Sequence, residues 1–84
     1  MALPSVPEAE SMSVPVFVKT LVRAQHVRSY EVAQAEGSGW EVSKRADQQV
    51  IVHVRHTDWH RVERTMMSFM REITDLRHEG WTER

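Results

Sequence analysis

The sequence predicts an α+β fold, a four-stranded antiparallel meander sheet followed by one long C-terminal helix packed on one face (ββββα). Three observations predict it. Trp59, Val62, Met66, Phe69, Ile73 and Leu76 recur at spacings of 3, 4, 3, 4 and 3, which draws one apolar stripe down a helix. Upstream, four short runs rich in β-branched residues alternate apolar with polar positions, as half-buried strands do. Only a few turn-forming residues separate those runs, and short connections favour antiparallel neighbours.

Residues 1–13 hold Pro4, Pro7, Glu8, Glu10 and three serines without periodicity, which reads as a disordered leader ahead of a single domain over residues 14–84. Met12 stands just before the first apolar run as an alternative start. The opening MALPSVPEAES has neither the basic nor the apolar region of a signal peptide. Val14 to Arg23 is the first strand, with Pro15 near its start, where an edge strand tolerates it. Val27 to Ala33 is the second, with Tyr30 and Val32 on one face and Ser29 and Glu31 on the other. Glu36-Gly37-Ser38-Gly39 makes the clearest turn. Trp40 to Arg45 is the third strand, setting Trp40 and Val42 against Glu41 and Ser43. After Ala46-Asp47-Gln48, the fourth strand, Gln49 to His56, sets Val50, Val52 and Val54 against Ile51, His53 and Arg55.

Thr57 and Asp58 are both good N-caps for the helix, and Asp58 places negative charge at the positive end of its dipole. The helix is expected to run from Trp59 to about Glu79. Gly80 suits the left-handed position beyond its end, with Trp81 returning to touch Leu76 as in a Schellman cap. Such a helix is about 31 Å long, close to the ~30 Å of a nine-residue strand. It is only about 10 Å wide, enough for roughly two strands of four. Part of the sheet is therefore expected to need a partner.

Composition narrows the possibilities. A chain of 84 residues makes one small domain of marginal stability, and its lack of cysteine removes disulfides and thiolate metal sites as reinforcement. Oligomerisation is the remaining common remedy. With 11 basic and 12 acidic residues the formal charge is -1, without the basic excess of an electrostatic nucleic-acid binder. No apolar run approaches the roughly 20 residues that span a bilayer. The expectation is a soluble cytoplasmic protein that engages no membrane.

His53, His56 and His60 fall close together, and His56 and His60 are four apart, a spacing that binds metal when both lie on one helical face. The helix is expected to begin between them, so they read as solvated or packing side chains. Asp58 and His60 fit an acid–base pair only with a third group and a cleft. No catalytic, metal or cofactor residue is assigned, and no enzyme activity is expected. Trp40 and Trp59 read as buried anchors. Met67 and Met70 widen the helix's apolar surface and, with Trp81, are the candidate interface of a small non-enzymatic interaction module that forms a homodimer. The bare sheet is the other surface available to that contact or to another protein. The alternative is a single-stranded nucleic-acid binder using the sheet face, with Lys19, Arg23, Arg28, Lys44, Arg45 and Arg55 as contacts. Against it, the outward positions Ser29, Glu31, Glu41, Ser43, Arg45, Ile51, His53 and Arg55 include two acids and no aromatic residue for bases to stack on.

The segments Tyr30 to Val32 (YEV), Gly39 to Val42 (GWEV), Thr57 to Arg64 (TDWHRVER) and Gly80-Trp81 resemble small bacterial proteins of unassigned function. This resemblance covers most of the chain after residue 29 and implies no activity. The order of four strands and one helix is also similar to that of the Whirly and transcriptional-coactivator single-stranded-DNA-binding folds, which implies oligomerisation and nucleic-acid binding on the sheet. The chain departs from them in lacking a basic, aromatic sheet face.

Overall fold

Residues 14–84, which the computed structural model describes, build an open antiparallel sheet with a single helix across one face. The predicted leader and Met12 lie outside the described residues. The elements are β1 (Val14–Arg23), β2 (His26–Gln34), β3 (Trp40–Ala46), β4 (Gln49–His56), α1 (Trp59–His78) and β5 (Thr82–Glu83). In space the strands run β4-β3-β2-β1-β5. The first four form the predicted meander. β5 is an addition, two residues that return from the helix to the free side of β1. No helix among the described residues is long and apolar enough to cross a membrane.

Cross-strand register assigns the two faces, because residues directly opposite in an antiparallel pair point to the same side. One face carries the rows Phe17–Val32–Val42–Val54 and Lys19–Tyr30–Lys44–Val52. The opposite face carries Val18–Glu31–Ser43–His53 and Thr20–Ser29–Arg45–Val50. The helix packs on the first. Leu21, Tyr30, Val32 and Val42 meet Val62, Phe69, Ile73 and Leu76 there as the buried core, with Phe17, Trp40, Met66 and Trp81 packed at its margin. Each fully buried side chain of this size contributes about 1.5–3 kcal/mol. The Phe69 ring lies 4.9 Å from that of Tyr30, and Trp59 packs on Trp40 at 5.0 Å.

Both helix ends form as the residue types require. Asp58 is the N-cap, its carboxylate accepting from the backbone N–H of His60 at 3.0 Å. At the other end Gly80 takes φ +103°, its N–H donates to Arg77 O at 3.1 Å, and Trp81 N–H donates to Leu76 O at 3.0 Å. Those two bonds define the Schellman motif and satisfy carbonyls that a bare helix end leaves open.

The helix slants. Its first turn rests on Trp40 of β3, whereas Met70, Ile73, Thr74 and Arg77 lie beside Phe17 and Lys19 of β1. β4 is left largely uncovered, so Val54 is 42% exposed although it faces the helix side. The expected grouping of Val50 with Val52 and Val54 is corrected by a register shift. Lys44 pairs with Val52 but Arg45 with Val50, leaving Ile51 as the extra residue of a bulge and placing Val50 on the far face. Both Val50 and Ile51 are 53% exposed.

Two tight turns are made without glycine. Ala24, between β1 and β2, has φ +56°, and Asp47, between β3 and β4, has φ +58°. An L-residue pays sterically for that conformation, and alanine has no polar side chain to offset it. Gly39, by contrast, is obligatory, because with φ +95° a Cβ there would stand 2.7 Å from His56 O. Ala24→Gly should therefore stabilise the domain by about 0.4–1 kcal/mol, raising the melting temperature by several degrees. Gly39→Ala should lower it by a larger amount. Thermal and urea denaturation followed by circular dichroism reads both, and an unchanged midpoint for Ala24→Gly would contradict the strain.

Candidate functional site

Lys44 and Glu72 form the polar seam between β3 and the helix, with Lys44 Nζ donating to both carboxylate oxygens at 3.2 Å. Beside it the Tyr30 hydroxyl is buried between Arg28 and Glu72, and among the described residues neither it nor Arg28 Nε makes a well-formed hydrogen bond. Burial, reinforced by the Glu72 carboxylate and opposed by Arg28, pushes the Tyr30 phenol up to about 12. Trp81 covers Arg28, whose guanidinium carbon sits 5.3 Å from the ring centroid. Next to them opens a shallow cleft of about 250 Å³ lined by His26, Val27, Arg28, Ala46, Asp47 and Trp81. The Val27 N–H and then His26 hold the Asp47 carboxyl below its usual range.

The six cations considered as nucleic-acid contacts are divided between surfaces. Lys19 and Lys44 lie on the helix side, where Lys19 pairs with Glu83 at 2.9 Å and Lys44 with Glu72. Arg28 is on that side too, under Trp81. Arg45 and Arg55 lie on the open face, but the Arg55 guanidinium donates to the carbonyls of Glu36 and Ser38. Arg23 is at the β1–β2 hairpin end. They do not combine into one cationic groove.

The histidines are similarly dispersed. His53 is on the open face 3.6 Å from Glu41, His56 ends β4, and His60 is exposed on the first helical turn 3.7 Å from Glu63. Asp58 is committed to its cap. Among the described residues no three His, Cys, Asp or Glu side chains converge as a metal site would require.

The proposed interface residues separate as well. Met67 and Met70 are 60% and 54% exposed on the helix, and Met70 overhangs Phe17 in a second cleft. Trp81 stands past the helix end and packs against the core. Met67 and Met70 thus share a flank, while Trp81 serves the fold.

The larger unpartnered surface is the sheet itself. On the open face Thr20, Ser29 and Ser43 form a floor between Val18, Glu31 and Arg45, and no second layer covers it among the described residues. The two edges are unequal. β1 is blunted by Pro15, by a bulge between Pro15 and Phe17, and by β5, whose neighbour Arg84 donates its N–H to Thr20 O at 2.9 Å. Glu83 anchors that cover through Lys19 and Arg77, and Lys19 followed by Arg77 hold its carboxyl below the usual range. Among the described residues β4 pairs with β3 alone. This free edge escaped the sequence reading. The one signal for it was an eight-residue run, QVIVHVRH, with no lysine and no acid.

Compared with known protein families, with curated proteins and with solved structures, the chain matches none.

These titrations give stability a defined pH dependence. A phenol with a higher pKa folded than unfolded binds its proton more tightly in the native state, so stability should fall as pH rises from 10.0 toward about 12. Carboxyls with depressed folded pKa act in the opposite sense. Asp47 and Glu83 stabilise the fold above their usual values of 3.8 and 4.5, and that contribution is lost as pH falls through their lower folded values. Tyr30 is the sole tyrosine, so phenolate absorbance should titrate near 12 in the folded protein, and Tyr30→Phe should flatten the alkaline limb of the melting curve. Normal ionisation near 10.0 would contradict its burial.

Proposed function

We propose that this domain is a non-enzymatic interaction module that works as a homodimer. The observation that carries this reading is the mismatch between one slanting helix and the sheet beneath it. The helix buries the middle of one face, while Val54 on that face and Val16, Val18, Val50 and Ile51 elsewhere on the sheet stay largely exposed. A domain this small, without cysteine, has little core to spare, and association with a second copy supplies apolar burial that the single chain lacks. Two-fold homodimers are the commonest closed assembly of soluble chains. The dispersal of the histidines and the engagement of Lys19, Arg28, Lys44 and Arg55 favour a protein-binding surface over catalytic or nucleic-acid chemistry.

Sedimentation equilibrium at high micromolar concentration should return a mass near twice 9.8 kDa, together with a melting temperature that rises with protein concentration. A monomer mass with a concentration-independent melt would refute the reading.

A further inference from the structure

We propose that β4 pairs antiparallel with β4 of a second copy, joining the two sheets edge to edge. This inference rests on the homodimer reading and names the surface that would serve it. An unpaired strand presents a row of N–H and C=O groups that another strand satisfies directly. β4 offers such a row along Gln49–His56.

The residues of β4 also lack most of the usual protection. Lysine, inward charge, proline or a bulge normally blunts an exposed edge; β4 has none of the first three, and its bulge at Ile51 interrupts only the end near Gln49, leaving Val52–His56 regular. Its permanently charged side chain, Arg55, is drawn off to the carbonyls of Glu36 and Ser38. Apart from Gln49, His53 and His56, what remains is Val50, Ile51, Val52 and Val54, β-branched and suited to a sheet interior.

The partner strand follows from the inequality of the edges. Pairing β4 with β1 of another copy is obstructed by Pro15, the β1 bulge and β5. That contact would also be head-to-tail and continue into a filament. β4 against β4 closes under a two-fold axis and leaves the blunted β1 edges outside. A register centred on His53 sets Val52 beside Val54 of the second copy, within the regular stretch past the Ile51 bulge. An interface of this kind is small, so an affinity on the order of micromolar is expected.

Val54→Lys and Ile51→Lys place a charge at exposed positions and should raise the dissociation constant at least about tenfold, with the circular dichroism spectrum and monomer melt preserved. Arg71→Glu, exposed on the helix, should leave dimerisation unchanged. Because the chain has no cysteine, Cys introduced singly at Val52, His53 or Val54 should give a disulfide-linked dimer on mild oxidation from the position nearest the axis, well ahead of an Arg71→Cys control. A wild-type dimer that survives both lysine variants and yields no cross-link from the strand would overturn the β4 interface while leaving the homodimer reading intact. A wild-type monomer at high micromolar concentration would overturn both.

Discussion

The packing of Phe69 against Tyr30 is the contact on which the rest of the structure depends. It lies where the helix crosses the middle of the sheet, with Val62 on one side along the helix and Ile73 and Leu76 on the other. A helix with one stripe of that width can seal one strip of sheet, and its direction decides which strip. Because it leads from Trp40 on β3 toward Phe17 on β1, the covered ground is diagonal and the β4 corner lies outside it. Removing apolar surface from water is the dominant favourable term in a domain of this size, so the uncovered corner is an energetic consequence of that crossing.

The same crossing accounts for how the polar residues are spent. Lys19, Arg28 and Lys44 rise from the helix-covered face at the edges of the core, where a free cation would be poorly solvated. Each is given a partner: Glu83 for Lys19, Glu72 for Lys44 and the face of Trp81 for Arg28. These contacts are partly exposed and individually modest. Their value is positional, since they tie the helix and the C-terminal return to particular strands.

Much of this was legible in the sequence, and what was missed has a common character. The helix, its Asp58 cap and the Gly80-Trp81 ending were readable because local residue types govern them. The meander was readable from alternation and short turns. The slant of the helix, the Ile51 bulge and β5 were not, because contacts far apart in sequence determine each of them. β5 consists of two residues whose pairing depends on Lys19 and Arg77 meeting Glu83, a relation no local pattern encodes. The six cations looked equivalent along the chain for the same reason. Register and helix placement divide them, and neither is visible in composition. Ala24 was equally opaque, since nothing about an alanine announces a left-handed turn, whereas Asp47 lay in the turn read at Ala46-Asp47-Gln48.

The short return at the C-terminus also acts as a latch. Thr82–Glu83 covers β1 at Leu21 and Val22, and it is held by Lys19 from the sheet and by Arg77 from the helix. Loosening the end of the helix therefore releases the strand cover at the same moment. With that cover gone the outer backbone of Leu21 and Val22 would stand unpaired, in a strand otherwise blunted by Pro15 and its bulge. Holding Thr82 and Glu83 in place therefore limits how much unpaired backbone the sheet offers.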